Sequence, residues 1–418
     1  MKEKKEVEVI LFHSFERKWF LNKTPNIKLF YKNLDTTIIR LLCEFVKSNE
    51  FRYKYSPKFI IFTIFKKLDN LSIKHSCGIN IRLMYVNLFK LIIPFEISFS
   101  LLKYIVKNKF KKIWHLNTYY YLMFDLVVTI LKLKKQKIIA HHRGGGFTFK
   151  SFPYSIFQYW ILLPILLRLV DKIIVQNKYE QKRLITHYKI DSNKIVWIPN
   201  GVNIKLFRPL PEKEKSKLRK KYRFDKEDFV ILYVGRISKG KGILKLPLIV
   251  DELINKYKLQ KIKFFIVGDG DDKEKLKNIL KNKKLLKYVK FSAGYIKNTD
   301  KLAKIYNVGN ILVHLNTNLK FEGSPNVVLE AQACGLPVVG FDIPGVQDSI
   351  INKKTGFLIK NKDYKNYVKK LYVLYKNKTL YKNMVFKARK NIEKNFNIET
   401  ITKKYIKLFN ELSVDDEN

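Results

Sequence analysis

The stretch FEGSPNVVLEAQACGLPVV, residues 321–339, decides the fold. Ser324 followed by Pro325 is typical of a helix start, because a serine side chain can cap free N–H groups and proline fits the first turn. Gly335 is typical of the position just after a helix, and an apolar strand follows from Pro337. The stretch therefore predicts a loop, a helix and a buried strand, the unit of parallel α/β sheets.

This predicted helix also suggests a binding site. A helix N-terminus offers unpaired N–H groups and a partial positive charge, so we expect Ser324 and Asn326 to contact a diphosphate. Glu330 lies one to two turns further on and can reach the same cleft. Since phosphate repels a carboxylate, we expect Glu330 to bind hydroxyls such as a ribose diol, and Glu322 to face a sugar. Either glutamate alone could equally be a partner of the helix dipole.

A glycine-rich turn with two cations follows the predicted strand Val230–Val234. Gly235 lets the backbone turn sharply next to a ligand. Arg236 supplies a planar two-pronged donor and Lys241 a point charge, a combination suited to a diphosphate. The alternative is an ordinary strand-to-helix turn with two solvated cations.

A second short turn, Gly268-Asp269-Gly270, follows the predicted strand Phe264–Val267. Such a turn can bring the backbone close to a nucleotide base or phosphate, so these three residues are candidates for binding the base. Gly-Asp-Gly is also a common tight turn, and it does not form a dinucleotide fingerprint.

Short, uniformly apolar runs alternate with helix-length segments along the whole chain, as expected for parallel sheets covered on both faces. The Pro- and Asn-Gly-rich stretch 198–211 interrupts this pattern, which favours two doubly wound domains. We expect an acceptor-binding domain at 1–203, a nucleotide-sugar domain at 204–385, and a helical segment with an acidic tail at 386–418. The predicted strands are Val7–Phe12, Phe59–Phe62, Lys112–His115, Lys137–His141, Lys172–Val175, Lys194–Ile198, Val230–Val234, Phe264–Val267, Val289–Phe291, Ile311–His314 and Pro337–Phe341.

Composition excludes some classes of protein. The net charge of +47 is spread almost evenly over both halves of the 418 residues, unlike a dedicated nucleic-acid arm. We therefore expect no nucleic-acid partner, although the charge would attract the protein to anionic membranes and phosphorylated substrates. The three cysteines, Cys43, Cys77 and Cys334, are far apart, so we expect neither a disulfide nor a zinc site. This usage suits the cytoplasm.

One uncharged stretch, residues 151–167, has an apolar character. It contains two prolines and is shorter than the roughly 20 residues that a membrane span needs. A buried helix, or one lying in the membrane interface, fits better than a span. No signal peptide is apparent at the charged N-terminus. We expect a cytoplasmic protein that contacts the cytoplasmic face of a membrane.

Seven segments together resemble the retaining glycosyltransferases of family four, the "group 1" family with the GT-B fold. They are IPNGVN (198–203), VGRISKGKG (234–242), VGDG (267–270), FSAGYI (291–296), residues 321–339, IPGVQDSI (343–350) and TGFLI (355–359). The resemblance implies two Rossmann-like domains facing a central cleft. It also implies that Arg236 and Lys241 bind the donor diphosphate, Glu330 the ribose and Glu322 the transferred sugar.

The N-terminal half resembles the family more faintly. His141 and His142 compete for the place of a family histidine beside the sugar, and His142 is preferred. Arg143 opens a glycine-rich stretch that could be a phosphate or acceptor loop, or a flexible turn. The family's glycine-rich loop after the first strand is missing and His13 stands there instead. His115 is a further candidate for lining the cleft.

The sequence thus predicts a glycosyltransferase that moves a sugar from a nucleotide-diphosphate sugar to a glycan or lipid-linked acceptor in cell-surface glycan or glycolipid synthesis. Retention at the anomeric carbon and the lack of an obligatory metal or other cofactor follow from the resemblance. Glu322 and His142 are the predicted catalytic residues. The alternatives are a related GT-B enzyme (a nucleotide-sugar epimerase or a phosphorylase), a noncatalytic nucleotide-sugar binder and a basic nucleic-acid-binding protein.

Overall fold

The chain forms two compact units in a computed structural model. The first unit contains Met1–Pro199 and Thr402–Asn418, and the second contains Asn200–Ile401. The structure describes residues 5–14, 37–48, 55–63, 69–85, 87–88, 96–117, 122–142, 157–296, 298–318 and 323–414.

Within its described residues, the first unit holds an eight-stranded sheet in the order β10-β9-β8-β7-β1-β2-β4-β3. All neighbours pair in parallel except β3, which is antiparallel to β4. The strands are β1 (Lys5–Ser14), β2 (Tyr55–Thr63), β3 (Ser72–Lys74), β4 (Asn80–Tyr85), β5 (Asn87–Leu88), β6 (Glu96–Ile97), β7 (Ile113–Asn117), β8 (Lys137–His142), β9 (Lys172–Val175) and β10 (Ile195–Trp197), of which β5 and β6 form a separate ribbon.

Helices connect these strands and cover the sheet. The core of the unit joins strand residues such as Trp114 and Ile138 to helix residues such as Phe124 and Leu167, all of them buried. The helices are α1 (Thr37–Lys47), α2 (Phe99–Lys107), α3 (Leu122–Leu133), a π-helical turn (Gln158–Leu162) that leads into α4 (Leu163–Leu169), and α5 (Lys178–Thr186).

The second unit holds a fully parallel six-stranded sheet in the order β13-β12-β11-β14-β15-β16. This is the doubly wound order in which ligands bind where the winding reverses, between β11 and β14. The strands are β11 (Phe229–Val234), β12 (Ile262–Val267), β13 (Val289–Phe291), β14 (Ile311–His314), β15 (Val338–Phe341) and β16 (Gly356–Ile359). The α-helices are α6 (Glu212–Lys221), α7 (Leu246–Asp251), α8 (Lys273–Asn282), α9 (Thr299–Tyr306), α10 (Asn326–Ala333), α11 (Val346–Ser349), α12 (Tyr364–Lys376), α13 (Lys378–Asn395) and α14 (Ile398–Val414).

The predicted strands are present, because an apolar run buried on both faces is a strong signal. β9, β13 and β14 match the predicted limits, and the other predicted strands differ from them by a few residues at their ends. The prediction missed β3, β4, β5, β6 and β16. Asn80 and Arg82 interrupt the apolar character of β4, and β16 is a short strand at the edge of its sheet.

The limits of the two units differ from the predicted domains at the C-terminus. The chain passes from the first unit to the second after Pro199, four residues before the predicted limit, and returns after Ile401. The prediction treated residues 386–418 as a separate segment, whereas residues 386–401 belong to the second unit and residues 402–418 to the first. Helix α14 runs through the second crossing, and its later part packs in the first unit, where Tyr405 lies beside His115.

The prediction that the cysteines form no disulfide is wrong. Cys43 on α1 and Cys77 in the β3–β4 turn are joined by a disulfide bond. Sequence spacing could not reveal it, because the two residues are 34 positions apart and only the packing of α1 brings them together. The third cysteine, Cys334, is free and buried.

The apolar stretch 151–167 falls partly outside the described residues, which resume at Phe157. Leu163, Leu166 and Leu167 are buried, as predicted for a core helix. A second set of apolar side chains on the same segment is exposed instead: Phe157, Trp160, Ile161, Ile165 and Leu169. In the part of the chain that the structure describes, no helix is long and apolar enough to cross a bilayer.

Candidate functional site

The loops that follow β11 and β12 are tied together at the carboxyl edge of the second sheet. The Gly235 amide donates to the Val267 carbonyl (3.0 Å) and the Ile237 amide donates to the Asp269 carbonyl (2.9 Å). These bonds extend the pairing of the two strands into their loops. The two glycine-rich turns that the sequence indicated separately are therefore one rigid surface.

This surface requires glycine at two points. A Cβ atom on Gly268, whose φ is +147°, would lie 1.9 Å from the Gly235 carbonyl oxygen. A Cβ atom on Gly242, with φ +74°, would lie 1.9 Å from the carbonyl oxygen of Leu315, which follows β14. The loops after three neighbouring strands thus pack backbone to backbone, which leaves main-chain groups at the place where a ligand binds in such sheets.

Arg236 projects from this surface, with 54% of its side chain exposed. Its Nη2 lies 2.9 Å from Asp271 Oδ2, whose side chain is 74% exposed. Because an exposed ion pair stabilises a protein by only about 0–1 kcal/mol, the guanidinium can exchange Asp271 for a stronger anion at little cost.

The other predicted residues of these loops are close by. Lys241 is half-buried in a 3-10 turn, Lys239–Lys241, that directly precedes Gly242. The Asp269 carboxylate accepts from the Gly270 amide (3.0 Å) and lies 3.6 Å from Lys273 Nζ. Asp269 is thus held by its own turn.

Helix α10 begins one residue later than predicted. The capping position is Pro325, with no side-chain cap, so the prediction that Ser324 caps the helix is wrong. The Ser324 hydroxyl is buried and has no hydrogen-bond partner among the described residues. A buried, unpaired donor at a helix N-terminus suits a ligand oxygen. The helix ends as expected, with Gly335 just beyond it at φ +81°.

Glu330 lies in the second turn of α10 and is 5% exposed. Its Oε2 accepts a hydrogen bond from the hydroxyl of the buried Tyr306 on α9 (2.8 Å). The carboxylate is therefore held in one orientation by a neutral donor. It also raises the pKa of the Cys334 thiol, although the burial of that thiol raises it more.

Two contacts that the sequence analysis missed hold α10 in place. Asn200 Nδ2 donates to the Ser324 carbonyl (2.7 Å), which fixes the loop before the helix. At the other end, Arg389 Nη1 donates to the Ala333 carbonyl (2.7 Å), where a cation also complements the helix dipole. Asn200 belongs to the segment IPNGVN, so the family resemblance did point to this residue. Arg389 lies in none of the segments that carry the resemblance, so no motif pointed to it.

In the first unit, His141 and His142 belong to consecutive positions of β8, and their side chains therefore point to opposite faces of the sheet. His142 Nδ1 lies 3.2 Å from Glu180 Oε1, with both side chains buried. Arg183 binds both oxygens of Glu180, at 2.9 and 2.6 Å. His142 is thus the first member of a buried His–Glu–Arg chain at the carboxyl end of its strand.

His141 has a different environment. Its Nδ1 lies 3.0 Å from His115 Nε2, and the two rings are stacked with centroids 5.2 Å apart. His115 comes from β7, the neighbouring strand, and Tyr405 of α14 packs against both rings. His141 and His142, the two candidates for one role beside the sugar, therefore lie on opposite faces of the same sheet.

A third group of side chains has the composition of a metal site. Nδ1 of His75 lies 3.1 Å from Cys77 Sγ and 3.9 Å from Cys43 Sγ, beside the disulfide. The ligand atoms of these three residues lie within 4.8 Å of one another. The expectation that the cysteines form no zinc site was made without His75 and stays a prediction. With the two sulfurs bonded to each other, the group is a disulfide with an adjacent imidazole.

Some predicted site residues lie outside the described residues. These are Glu322 and Arg143, and for His13 the structure describes the strand but not the side chain. The predicted positions that it describes in the second unit follow the carboxyl ends of β11, β12 and β14, either on the loops or on α10. They are Gly235, Arg236, Lys241, Gly268, Asp269, Gly270, Ser324, Asn326 and Glu330.

Comparison with known families gives two matches along the chain. "Glycosyl transferases group 1" matches residues 214–391, and "Glycosyltransferase Family 4" matches residues 74–206. The first match contains the whole loop surface and α10. The second contains β7, β8 and the His142–Glu180 pair.

Two curated relatives are sugar transferases by name. The capsular polysaccharide biosynthesis glycosyltransferase CapM of Staphylococcus aureus is 27% identical over 298 residues, which cover 68% of this chain and 73% of CapM. The UDP-Gal:alpha-D-GlcNAc-diphosphoundecaprenol alpha-1,3-galactosyltransferase of Escherichia coli is 28% identical over 261 residues, which cover 62% of this chain and 65% of that enzyme.

Solved structures share the fold at low sequence identity. Sucrose-phosphate synthase from Thermosynechococcus elongatus has a TM-score of 0.71 at 17% identity, and covers 99% of this chain and 100% of its own. HepE from Anabaena, in complex with UDP, has a TM-score of 0.70 at 16% identity, with 97% and 100% covered. The predicted GT-B fold with two Rossmann-like domains is confirmed.

Proposed function

This chain belongs to the group 1 glycosyltransferases and transfers a sugar from a nucleotide sugar in cell-surface glycan synthesis, and we propose that it does so with retention at the anomeric carbon, onto a glycan or lipid-linked acceptor. The observation that carries the proposal is the interlocked loop surface after β11, β12 and β14, which presents Arg236 beside main-chain groups. CapM and the E. coli galactosyltransferase, by their names, act in capsule synthesis and on a lipid-linked sugar, which supports the acceptor class.

The proposed donor site uses each described residue for one part of the nucleotide sugar. Arg236 and Lys241 bind the diphosphate, together with the α10 N-terminus, where the unpaired Ser324 hydroxyl is available. Glu330 accepts from the ribose hydroxyls. Asp269 and its flanking glycines contact the base. The departing diphosphate can be neutralised by Arg236, Lys241 and the α10 N-terminus, and the proposal therefore includes no obligatory metal.

In the proposed reaction the acceptor hydroxyl forms a bond to the anomeric carbon while the bond from that carbon to the diphosphate oxygen breaks. Both events take place on the same face of the sugar, and a diphosphate oxygen receives the hydroxyl proton. The electron pair of the broken bond leaves with the nucleoside diphosphate. Glu322 and His142 stabilise positive charge at the sugar ring, and the Glu180 carboxylate lies 3.2 Å from His142 Nδ1 on the other side.

The products of the reaction test this function against related activities. We expect incubation with a labelled nucleotide sugar to yield free nucleoside diphosphate and a labelled acceptor whose anomeric configuration equals that of the donor. A sugar phosphate formed from inorganic phosphate would instead indicate a phosphorylase. An epimerised sugar without an acceptor product would indicate an epimerase. The donor is found by screening nucleotide sugars for a rise in melting temperature.

The ribose assignment predicts a change in donor binding. Because Gln cannot accept from two hydroxyls as a carboxylate does, we expect Glu330→Gln to raise the KM for the donor by about tenfold to a hundredfold. Tyr306→Phe is the matched control, since it removes the 2.8 Å bond to Glu330 and keeps the carboxylate. A donor KM that rises more in Tyr306→Phe than in Glu330→Gln would contradict the assignment.

We also propose that the protein works at the cytoplasmic face of a membrane, where a lipid-linked acceptor is found. The exposed side chains of Phe157, Trp160, Ile161 and Ile165 support this, because an aromatic and aliphatic face next to cations suits a bilayer interface. The net charge of +47 adds attraction to anionic lipid.

Membrane contact is tested by removing part of this exposed face. We expect the double variant Trp160→Ser/Ile161→Ser to bind anionic vesicles at least about tenfold more weakly in co-sedimentation, since two apolar side chains no longer enter the interface. Phe386→Ser is the control, because Phe386 is as exposed (59%) but lies in the second unit. Equal losses in both variants would show that the segment has no special role.

A further inference from the structure

A polar pocket of about 650 Å³ lies on the first unit's sheet, in the amino half of its strands. Glu8, Lys58 and Asn80 form part of its floor. They are register partners across β1, β2 and β4, so their side chains point to the same face. Arg82 stands two residues beyond Asn80 and points the same way. His142 lies at the opposite, carboxyl end of the strands, and the pocket is therefore separate from the site proposed above.

The walls of the pocket come from the end of α2 and the segment before β7. Tyr104 and Lys107 belong to the last turns of α2, and Lys112 directly precedes β7. Phe110, which is 73% exposed, stands at the rim. These groups enclose a volume within the range of small-molecule sites.

The polar floor is costly for the fold. Strands covered on both faces are normally apolar, and burying a charge without full pairing destabilises a protein. Glu8 has no exposed surface, although it lies between Val7 and Val9 in the middle of the sheet. Because the buried Glu8 carboxylate lowers the stability of the fold and lines a pocket, we explain it by the binding of a ligand.

Glu8 is only half satisfied. Its Oε1 accepts from the Tyr104 hydroxyl (2.6 Å) and from Lys112 Nζ (3.0 Å). No donor among the described residues reaches its Oε2, which is buried. Burial and the neighbouring Glu8 charge raise the pKa of Tyr104 to about 12, so that Tyr104 remains a donor at neutral pH. The second carboxylate oxygen of Glu8 can therefore accept a hydrogen bond from a ligand hydroxyl or amine.

Cations outnumber this single carboxylate around the pocket. The lining contains Lys58, Arg82, Lys107, Lys109 and Lys112. The Arg82 guanidinium lies 5.0 Å from the centre of the Tyr104 ring, a stacking that holds its plane in the pocket wall. Lys112 is the partner of Glu8, and Arg82, Lys107 and Lys109 add further positive charge to the lining.

We propose that this pocket binds a phosphate ester of a polyol, with the phosphate on Arg82 and Lys107 and a hydroxyl donating to Glu8 Oε2. A planar guanidinium and an ammonium group match phosphate oxygens. The Glu8 carboxylate favours such an ester over inorganic phosphate, because it attracts a neutral alcohol hydroxyl and repels a charged phosphate oxygen. Such a ligand has two sources, a soluble polyol phosphate or the headgroup of a phospholipid.

Calorimetric titration of the full chain tests whether the cations and the Glu8 carboxylate bind the same ligand. We expect glycerol 3-phosphate to bind at one saturable site, at least about tenfold more tightly than inorganic phosphate, since it satisfies both the cations and the carboxylate. Glycerol alone should show no binding. In Glu8→Gln the preference for glycerol 3-phosphate over phosphate should fall below about threefold.

Variants of the cations keep the proposal testable if Glu8→Gln does not fold. Arg82→Gln should weaken binding by at least about tenfold and Lys107→Gln by less, because a charged hydrogen bond is lost in each. Lys103→Gln is the matched control, since Lys103 is an exposed lysine one turn earlier on α2 that does not line the pocket. An equal loss in Lys103→Gln would mean general charge attraction and would overturn the site.

The source of the ligand is decided with vesicles. Binding to phosphatidylglycerol vesicles that Arg82→Gln weakens, without any binding of glycerol 3-phosphate, would assign the pocket to a lipid headgroup. The reverse result would assign it to a soluble ester. If the protein binds neither probe in a way that depends on Arg82, the proposal is wrong.

Discussion

Replacing Arg236 by alanine is expected to lower kcat/KM by about 10²–10³-fold, the usual loss when one preorganised donor to a developing anion is removed. The structure supports a loss of function without a loss of fold. The Arg236 side chain is 54% exposed, and its ion pair with Asp271 is at the surface. We therefore expect the melting temperature of Arg236→Ala to stay within a degree or two of the wild type.

Two further variants separate geometry from charge. Arg236→Lys keeps the charge but not the planar fork, and we expect it to recover only part of the activity. Lys239→Ala removes an exposed cation of the same loop and should be nearly silent. If Arg236→Ala retains near-normal kcat/KM for the donor, the diphosphate assignment is wrong.

The second large effect is expected at Glu322. Replacing it by alanine should lower kcat by about 10²-fold or more, because the predicted role of the carboxylate is to stabilise charge at the sugar ring in the transition state. Glu322 directly precedes Gly323 and the start of α10, whose N-terminal end lies at the site. Its loss should leave the donor Kd nearly unchanged, which distinguishes it from Glu330.

Steady-state kinetics and donor titration measure these two quantities on the same variant. Glu274→Ala is the control, since Glu274 is an exposed glutamate of the same unit on α8. A Glu322→Ala protein that turns over normally would remove Glu322 from the catalytic set. A variant that loses donor affinity while its kcat is unchanged would reassign Glu322 to ground-state binding.

Local patterns predicted most of the second unit. Its strands are uniformly apolar, and each is followed by a loop with glycines or charges, so both the sheet and the loops at its edge could be read directly. Gly268 and Gly242 show why these loops keep glycine: a Cβ atom at either position would collide with a neighbouring main chain. The fold class and the donor residues follow from such short-range signals.

The first unit was harder to predict because its important contacts are long-range. Glu8 in β1 pairs with Lys112, 104 positions away, and Cys43 is bonded to Cys77 across 34 positions. No spacing rule connects such residues. Equally, the sequence could not separate His141 from His142, whereas a strand sends adjacent side chains to opposite faces and so gives each its own partners.

The sequence by itself determined the parallel α/β class, the two-domain plan and the residues at the strand ends of the donor half, because backbone geometry ties each of these to a few neighbouring positions. Only the tertiary structure decided the partners: Asp271 for Arg236, Tyr306 for Glu330, Glu180 for His142 and the cationic surroundings of Glu8. Partners depend on which elements pack together, and packing is a property of the whole chain. For the segment FEGSPNVVLEAQACGLPVV this means that the sequence placed the helix, and the packing fixed the direction in which Glu330 points.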